Sequence, residues 1–176
     1  IIFLPYAMSR AKALNDYSLT DLQKYTQGKQ AGLDFSLSAY NRDLEGTSTV
    51  KDLPTLMELI YATFTGMNFR AEDFGAAQNA FKGLIAGRES TPEFIFSKYL
   101  TETLFKAPSE QAITSAIIEK ADAETSNKIV KDALANAADY TFIFTGNIDL
   151  ATFIPLMEQY IATLPANAAT ATKSVT

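Results

Sequence analysis

One stretch near the end of the chain, Asp139–Pro165, contains an uncharged apolar run followed by apolar residues at helical spacing. These two patterns are the main evidence for the predicted fold. Tyr140–Phe144 is aromatic or β-branched throughout, without charge or proline, which is typical of a central strand covered on both faces. Gly146-Asn147 has turn chemistry, and Asp149 is placed to cap a helix. The helical spacing that follows predicts one apolar stripe, formed by Phe153, Leu156, Met157, Tyr160, Ile161 and Leu164.

A second strand signal lies in the first quarter of the chain. Leu33, Phe35 and Leu37 alternate with polar residues, which predicts a half-buried strand. We expect the chain to turn at 41–43 and return as an antiparallel strand over 44–49, with Gly46 as a candidate bulge position. The region therefore predicts a two-stranded hairpin.

The remaining hydrophobic residues recur at helical spacing. Pro5 opens a helix that is predicted to reach about Asn15. Ser18 and Asp21 have capping-box spacing and open a helix from Leu19 to Gln27 that ends before Gly28. Asp52 is expected to cap the next helix, and Thr91 with Pro92 the start of a later one. Such cap and proline signals place the other helices at 53–66, 71–87, 92–105, 115–121 and 123–137. In the helix over 71–87 the expected inward residues are Phe74, Ala77, Phe81, Leu84 and Ile85.

These elements predict an α+β domain over residues 1–165. Its sheet is expected to be mixed and largely antiparallel, with helices packed mainly on one face. Residues 166–176 lack periodicity and predict a linker or tail. The chain begins on the apolar residues Ile1-Ile2-Phe3-Leu4 without methionine, so we expect a fragment whose N-terminal strands are missing.

Composition excludes several classes of chemistry. The 176 residues contain no cysteine and no histidine, so disulfides, thiolate sites and imidazole ligands or bases are absent. A formal net charge of −5 argues against a nucleic-acid or anionic-membrane partner. We also expect no membrane span, because no run of about 18 apolar residues occurs. The 12 Phe and 8 Tyr residues are enough for a sizeable core.

Several polar residues and glycines are of types found in active sites, but their patterns here are better explained by structural roles. The carboxylate pairs Glu72/Asp73 and Glu119/Asp122 fit solvated helix faces or caps better than a general acid and base. Ser97-Lys98 and Ser90 lack a nucleophile motif, and Arg88-Glu89 fits a surface ion pair or an interdomain contact. The glycines at 75, 83 and 87 do not have phosphate-binding spacing. Four tyrosines are expected at the core or its rim: Tyr40, Tyr61, Tyr99 and Tyr160.

Several segments in order resemble one domain of the insulinase/pitrilysin-type zinc metallopeptidases, the inverted zincins. The most specific is Glu45-Gly-Thr-Ser-Thr-Val-Lys-Asp-Leu53 followed by Leu56-Met-Glu-Leu-Ile-Tyr61 and Phe64-Thr65. The others are 19–24, Arg88-Glu-Ser-Thr-Pro92 and the segment 137–149, and together they cover about residues 5–165.

The resemblance implies four related α+β domains in two halves that close around a peptide, with zinc held by H-x-x-E-H in the first domain. The equivalent helix here, Tyr6 to Leu14, offers no ligand. The resemblance therefore implies a non-catalytic domain, the first of the C-terminal half. No catalytic, cofactor-binding or metal-binding residue is assigned within these residues, and zinc is expected in the first domain of the parent protein. The expected partners are the other domains of the same polypeptide and, in the parent, a peptide substrate.

Three functional hypotheses remain open from the sequence. The first is a structural domain of the substrate chamber of a zinc-dependent metalloendopeptidase. The second is a scaffold or binding module whose parent has lost the zinc motif. The third is an independent enzyme with paired carboxylates of raised pKa. The resemblance favours the bacterial periplasm or cell envelope, with the cytoplasm as the alternative.

Overall fold

The computed structural model of the protein describes residues 4–38, 41–105 and 111–167. Its α-helices are α1 (Leu4–Ala11), α2 (Leu19–Thr26), α3 (Leu53–Gly66), α4 (Ala71–Glu89), α5 (Pro92–Leu104), α6 (Ser115–Glu119), α7 (Ala123–Leu134) and α8 (Leu150–Leu156). Its strands are β1 (Lys12–Leu14), β2 (Ala31–Leu37), β3 (Arg42–Ser48) and β4 (Met67–Phe69). A 3₁₀ turn covers Ala137–Asp139, and a π-helical segment, Met157–Ile161, continues α8.

The predicted α+β class is confirmed. In the described residues the strands form two two-stranded sheets, β1 with β4 and β2 with β3. The pairing of β2 with β3 matches the sequence prediction, but β3 already begins at Arg42, so the turn predicted at 41–43 is wrong. The Ser38 N–H donates to the Asn41 carbonyl at 2.9 Å. Neither short strand β1 nor β4 was predicted, because three residues are too few to show a hydrophobic period.

The chain groups into two compact units. Unit 1 consists of Ile1–Lys12, Ser36–Asp43 and Phe69–Lys128, and unit 2 consists of Ala13–Phe35, Leu44–Asn68 and Ile129–Thr176. Each unit is therefore built from three separate stretches of sequence.

Unit 1 is organised around α4. Phe74, Ala77 and Ile85 on α4 are buried, as predicted, but Leu84 is 58% exposed and the prediction that it faces inward is wrong. Phe81 is half-buried and stacks on Tyr6 with ring centroids 4.3 Å apart. Gln78 on the same helix donates to the carbonyl oxygens of Ile118 and Ala121, at 2.8 and 2.6 Å, and thereby fixes α6 against α4.

Unit 2 is organised around α3. Leu56, Met57, Ile60 and Phe64 form its buried face, as the spacing predicts, and Met57 is completely buried. The apolar stripe predicted for 150–164 is half-buried over most of its length and ends in the buried Leu164.

Several predicted helix boundaries need correction. The first helix ends at Ala11 and the chain continues into β1, so the predicted extension to Asn15 is wrong. Asn15 has a positive φ of 54°, and its N–H donates to the Gly66 carbonyl at 2.8 Å, so this residue forms a turn. The helix predicted to reach Ala137 ends at Leu134. The predictions made for residues 1–3, Tyr40, 106–110 and the tail from 168 concern residues outside the described ranges.

Candidate functional site

The segment predicted as a central strand, Tyr140–Phe144, does not pair in a sheet within the described residues. It is covered on one face only: Phe142 and Phe144 are half-buried, whereas Thr141 is exposed and Ile143 is 79% exposed. The prediction of burial on both faces is therefore wrong. An uncharged run of aromatic and β-branched residues does not distinguish a central strand from one whose second face lacks a neighbour.

Aromatic contacts hold the inner face of this segment in place. The Phe64 ring lies 5.0 Å from the ring of Tyr140 and 5.9 Å from the ring of Phe142. Phe144 packs edge-to-face on Phe153 of α8, with centroids 5.1 Å apart. The Tyr140 hydroxyl donates to the Ala133 carbonyl at 2.9 Å. The segment is thus anchored to its own core by side chains rather than by a backbone ladder.

A groove of about 320 Å³ lies between this segment and the end of β3. One wall is formed by 46–50, the other by 143–148, and the floor contains Leu53 and Leu56 of α3 with Phe153 of α8. We call this feature the β3 groove. Its lining residues carry hydroxyl, amide, backbone and apolar groups but no ionisable side chain. The groove therefore offers surfaces for binding and no acid, base or charged metal ligand.

The carboxylates singled out from the sequence serve structural roles in unit 1. Asp73 pairs with Arg70 at 2.6 Å, while the exposed Glu72 lies 4.0 Å from the same guanidinium. Glu119 forms an ion pair with Lys82 at 2.8 Å, and the bond from Lys82 lowers the pKa of Glu119.

Asp122 accepts the Thr125 N–H at 2.7 Å, as a helix cap does, and this bond lowers its pKa. The predicted interpretation of these pairs as solvated faces and caps agrees with these contacts.

The other candidates do not converge on a site either. Glu89 accepts the hydroxyl and the N–H of Ser115, and Lys98 pairs with Glu102 on the exposed face of α5 at 3.7 Å. The Ser97 hydroxyl donates to the Phe94 carbonyl within the same helix, so it is engaged in a local helix bond. Tyr99 is 69% exposed, and Tyr61 lies at the surface edge-to-face with Tyr160.

Sequence reasoning missed Glu58 of unit 2, whose carboxylate accepts hydrogen bonds from two tyrosine hydroxyls. Glu58 accepts the hydroxyl of Tyr25 and, at 3.4 Å, that of Tyr160. Burial, followed by the nearby Glu58 charge, raises the pKa of Tyr160, so its hydroxyl stays a donor. Lys29 covers the Tyr25 ring, with Nζ 3.7 Å from the centroid. The partners come from sequence positions far apart, so no local pattern could have indicated this cluster.

The residues present do not fit a zinc site. Zinc takes imidazole, thiolate and carboxylate ligands in tetrahedral sets, and this sequence has no histidine or cysteine. In the described part of the chain, no group of three or more acidic side chains is placed to hold a metal ion. None of the helices described in the structure has the length and apolar character needed to cross a membrane.

Comparison with known proteins identifies the fold. No protein-family description matches the chain, and no curated protein matches it. Among solved structures, it resembles the periplasmic protease PqqL from Escherichia coli, with a TM-score of 0.77 and 16% sequence identity. The match covers 96% of this chain and 19% of PqqL, so the chain spans about a fifth of that protein. At this identity the likeness establishes an α+β fold shared with one part of PqqL.

Proposed function

We propose that these residues form a non-catalytic domain of a larger zinc-dependent metalloendopeptidase, where they supply part of the wall of the substrate chamber. One observation carries the proposal. Nearly the whole chain resembles a fifth of a protease, yet its sequence lacks every imidazole and thiol that could hold a zinc ion. The segments from 45 to 65 and from 137 to 149, which resemble the insulinase/pitrilysin-type metallopeptidases, support the same proposal.

An apolar surface on α5 also supports a larger assembly. Ile95, Phe96, Tyr99, Leu100 and Leu104 are 44–69% exposed on this helix. Contiguous exposed apolar surface is typical of an interaction site. In this proposal other domains of the same polypeptide cover it, and the zinc lies in the first domain of the parent protein. Chamber closure would then exclude bulk water and select peptides by size.

The test begins with the reading frame that contains these residues. The proposal expects an H-x-x-E-H motif several hundred residues upstream, and peptide hydrolysis by the longer polypeptide in a fluorogenic peptide assay. Replacing the motif glutamate with glutamine should abolish hydrolysis, while the 176-residue chain alone should cleave nothing. Hydrolysis by the 176-residue chain would contradict the proposal, and a reading frame without the motif would favour the scaffold module instead.

The compartment is part of the same proposal. The resemblance to a periplasmic protease favours the periplasm or cell envelope of a bacterium. Fractionation of cells that express the longer polypeptide, followed by immunoblotting, should place it with periplasmic markers. Recovery with cytoplasmic markers alone would contradict that location without affecting the proposed role in proteolysis.

A further inference from the structure

Glu58 of unit 2 is a half-buried carboxylate that forms no ion pair with a described lysine or arginine. It accepts the hydroxyls of Tyr25 and Tyr160, which are neutral donors. Removing a charge from water is costly unless an opposite charge and hydrogen bonds compensate for the lost hydration. The two tyrosines supply hydrogen bonds, so the charge of Glu58 still lacks a counter-charge from its own chain.

Aromatic rings border this carboxylate. Tyr61 lies one turn after Glu58 on α3, on the same side of the helix. Its ring meets the ring of Tyr160 edge-to-face, with centroids 6.2 Å apart. Tyr25 is 46% exposed and Tyr61 is 36% exposed, so ligands can reach both rings. A carboxylate beside accessible tyrosine rings is suited to binding an organic cation, because the ring faces attract positive charge.

An ammonium group of the chain already lies on one of these rings. The Lys29 Nζ atom is 3.7 Å from the centroid of the Tyr25 ring, within the range at which a cation is attracted to an aromatic face. Lys29 forms no ion pair with a carboxylate in the described residues, so the ring is its contact. The surface around Glu58 therefore attracts a cation even without a direct ion pair.

The hydrogen-bonding capacity of Glu58 selects a guanidinium. A carboxylate has about four lone-pair sites, and each oxygen of Glu58 uses one site for a tyrosine hydroxyl. One acceptor site therefore remains on each oxygen. A guanidinium can donate to both oxygens at once and place its planar face against a tyrosine ring, whereas an ammonium is a compact and strongly hydrated charge.

We infer that Glu58, together with the rings of Tyr25, Tyr61 and Tyr160, binds an arginine side chain of a peptide. The carboxylate pairs with the guanidinium, and the rings hold its plane. The formal net charge of −5 favours the approach of such a basic peptide. The inference does not depend on the proposed function, because all four residues lie in unit 2 of these 176 residues.

Titration of the 176-residue chain with butylguanidinium, followed by nuclear magnetic resonance of ¹³C-labelled tyrosine rings, tests the inference. The ring signals of Tyr61 and Tyr160 should shift and saturate. Butylammonium should bind at least about threefold more weakly, because it lacks the planar pair of donors. Tetramethylammonium, which has no N–H to donate to Glu58, should bind at least about tenfold more weakly.

Two pairs of variants separate binding from folding. Glu58→Gln removes the charge and should weaken butylguanidinium binding at least about tenfold, whereas Glu45→Gln, at an exposed position on β3, should bind like wild type. The second pair leaves Glu58 intact. The Tyr61 hydroxyl makes no hydrogen bond to a described residue, so Tyr61→Phe should keep the affinity, while Tyr61→Leu should lower it about two- to fivefold.

Several results would overturn the inference. One is the absence of saturable shifts in the wild-type chain, and another is unchanged affinity in a folded Glu58→Gln variant. Equal affinities of Tyr61→Leu and Tyr61→Phe would show that the aromatic ring does not contribute to binding. Butylammonium or tetramethylammonium binding as tightly as butylguanidinium would contradict the assignment to arginine.

Discussion

Glu89 illustrates how one side chain can connect two elements that are distant in sequence. Its carboxylate accepts the Ser115 hydroxyl at 2.6 Å and the Ser115 N–H at 2.9 Å, which ties the end of α4 to the start of α6. These two bonds hold the pKa of Glu89 below its ordinary value. From the sequence, Arg88-Glu89 was interpreted as a surface ion pair or an interdomain contact. The bond to Ser115 was not predicted, because that partner lies 26 residues away.

The Glu89 contact predicts that the stability of the fold decreases at acidic pH. A carboxyl whose pKa is depressed by folding stabilises the fold above its unfolded pKa, about 4.3 for glutamate, and this contribution is lost as the pH falls through the folded value. Glu89→Gln should therefore lower the Tm at pH 7, and the difference from wild type should shrink as the pH approaches 3. Calorimetric Tm measurements between pH 3 and 7 provide the check.

The matched control for that experiment is Glu45→Gln, which changes an exposed carboxylate on β3. Its Tm should follow the wild-type curve over the whole pH range. A Glu89→Gln variant that behaves like Glu45→Gln would show that the bonds to Ser115 do not contribute to stability.

The burial of Met57 predicts how much stability unit 2 loses when a core side chain is truncated. Its side chain is completely buried on α3, so Met57→Ala should lower the free energy of unfolding by about 2–5 kcal/mol. Leu84→Ala, at a position 58% exposed on α4, should change it by less than about 0.5 kcal/mol. Urea denaturation measures both. Equal losses would mean that Leu84 is buried as the sequence pattern indicated.

At the scale of elements, the helix starts were the most predictable features. The capping box expected at Ser18 and Asp21 is present: the Asp21 N–H donates to the Ser18 hydroxyl oxygen at 3.3 Å, and the Asp21 carboxylate accepts the Ser18 N–H at 3.1 Å. Thr91 and Asp149 also cap their helices as predicted. Caps are local hydrogen bonds over two or three residues, so the sequence alone contains both partners.

The capping box predicts a helix-specific loss of stability. Ser18→Ala should cost about 0.5–2 kcal/mol, because the Asp21 N–H loses its acceptor at the start of α2. Thr20→Ala, which removes an exposed hydroxyl in the first turn of the same helix, is the matched control and should be near neutral. Chemical denaturation distinguishes them, and equal effects would rule out a capping role for Ser18.

The strand predicted at Tyr140–Phe144 shows that local sequence patterns do not determine the neighbours of a strand. Composition predicted a central strand covered on both faces. Phe64 and Phe153 pack on one face, whereas Ile143 on the other face is 79% exposed. Whether such a segment has neighbours on both edges depends on residues far away in sequence or outside the chain. The same limit applies to Asp52, predicted as a helix cap, which instead accepts the Gln30 N–H and the Thr49 hydroxyl, both at 2.9 Å.

At the scale of the whole molecule, the α+β class followed from the order of helical and strand periods. The division into two compact units did not, because each unit combines three stretches that are separated in sequence. The candidate site was equally non-local. The β3 groove is bordered by 46–50 and 143–148, about a hundred residues apart, and neither segment carries a recognisable binding motif.

The prediction of a single domain over residues 1–165 has an equilibrium test. Because neither unit is a continuous stretch of sequence, we expect neither to unfold alone, and the 176-residue chain should show one cooperative transition. Far-UV circular dichroism and the fluorescence of the eight tyrosines should give coincident thermal curves. Two separated transitions would show that the units are independent domains.

The most direct measurement of the central claim is the zinc content of purified protein by inductively coupled plasma mass spectrometry. The 176-residue chain should contain less than about 0.1 zinc per chain, and the longer polypeptide should contain about one, because a catalytic zinc site requires ligands that only the longer polypeptide would supply. About one tightly held zinc per 176-residue chain would contradict the account, and so would a longer polypeptide that hydrolyses peptides without binding metal.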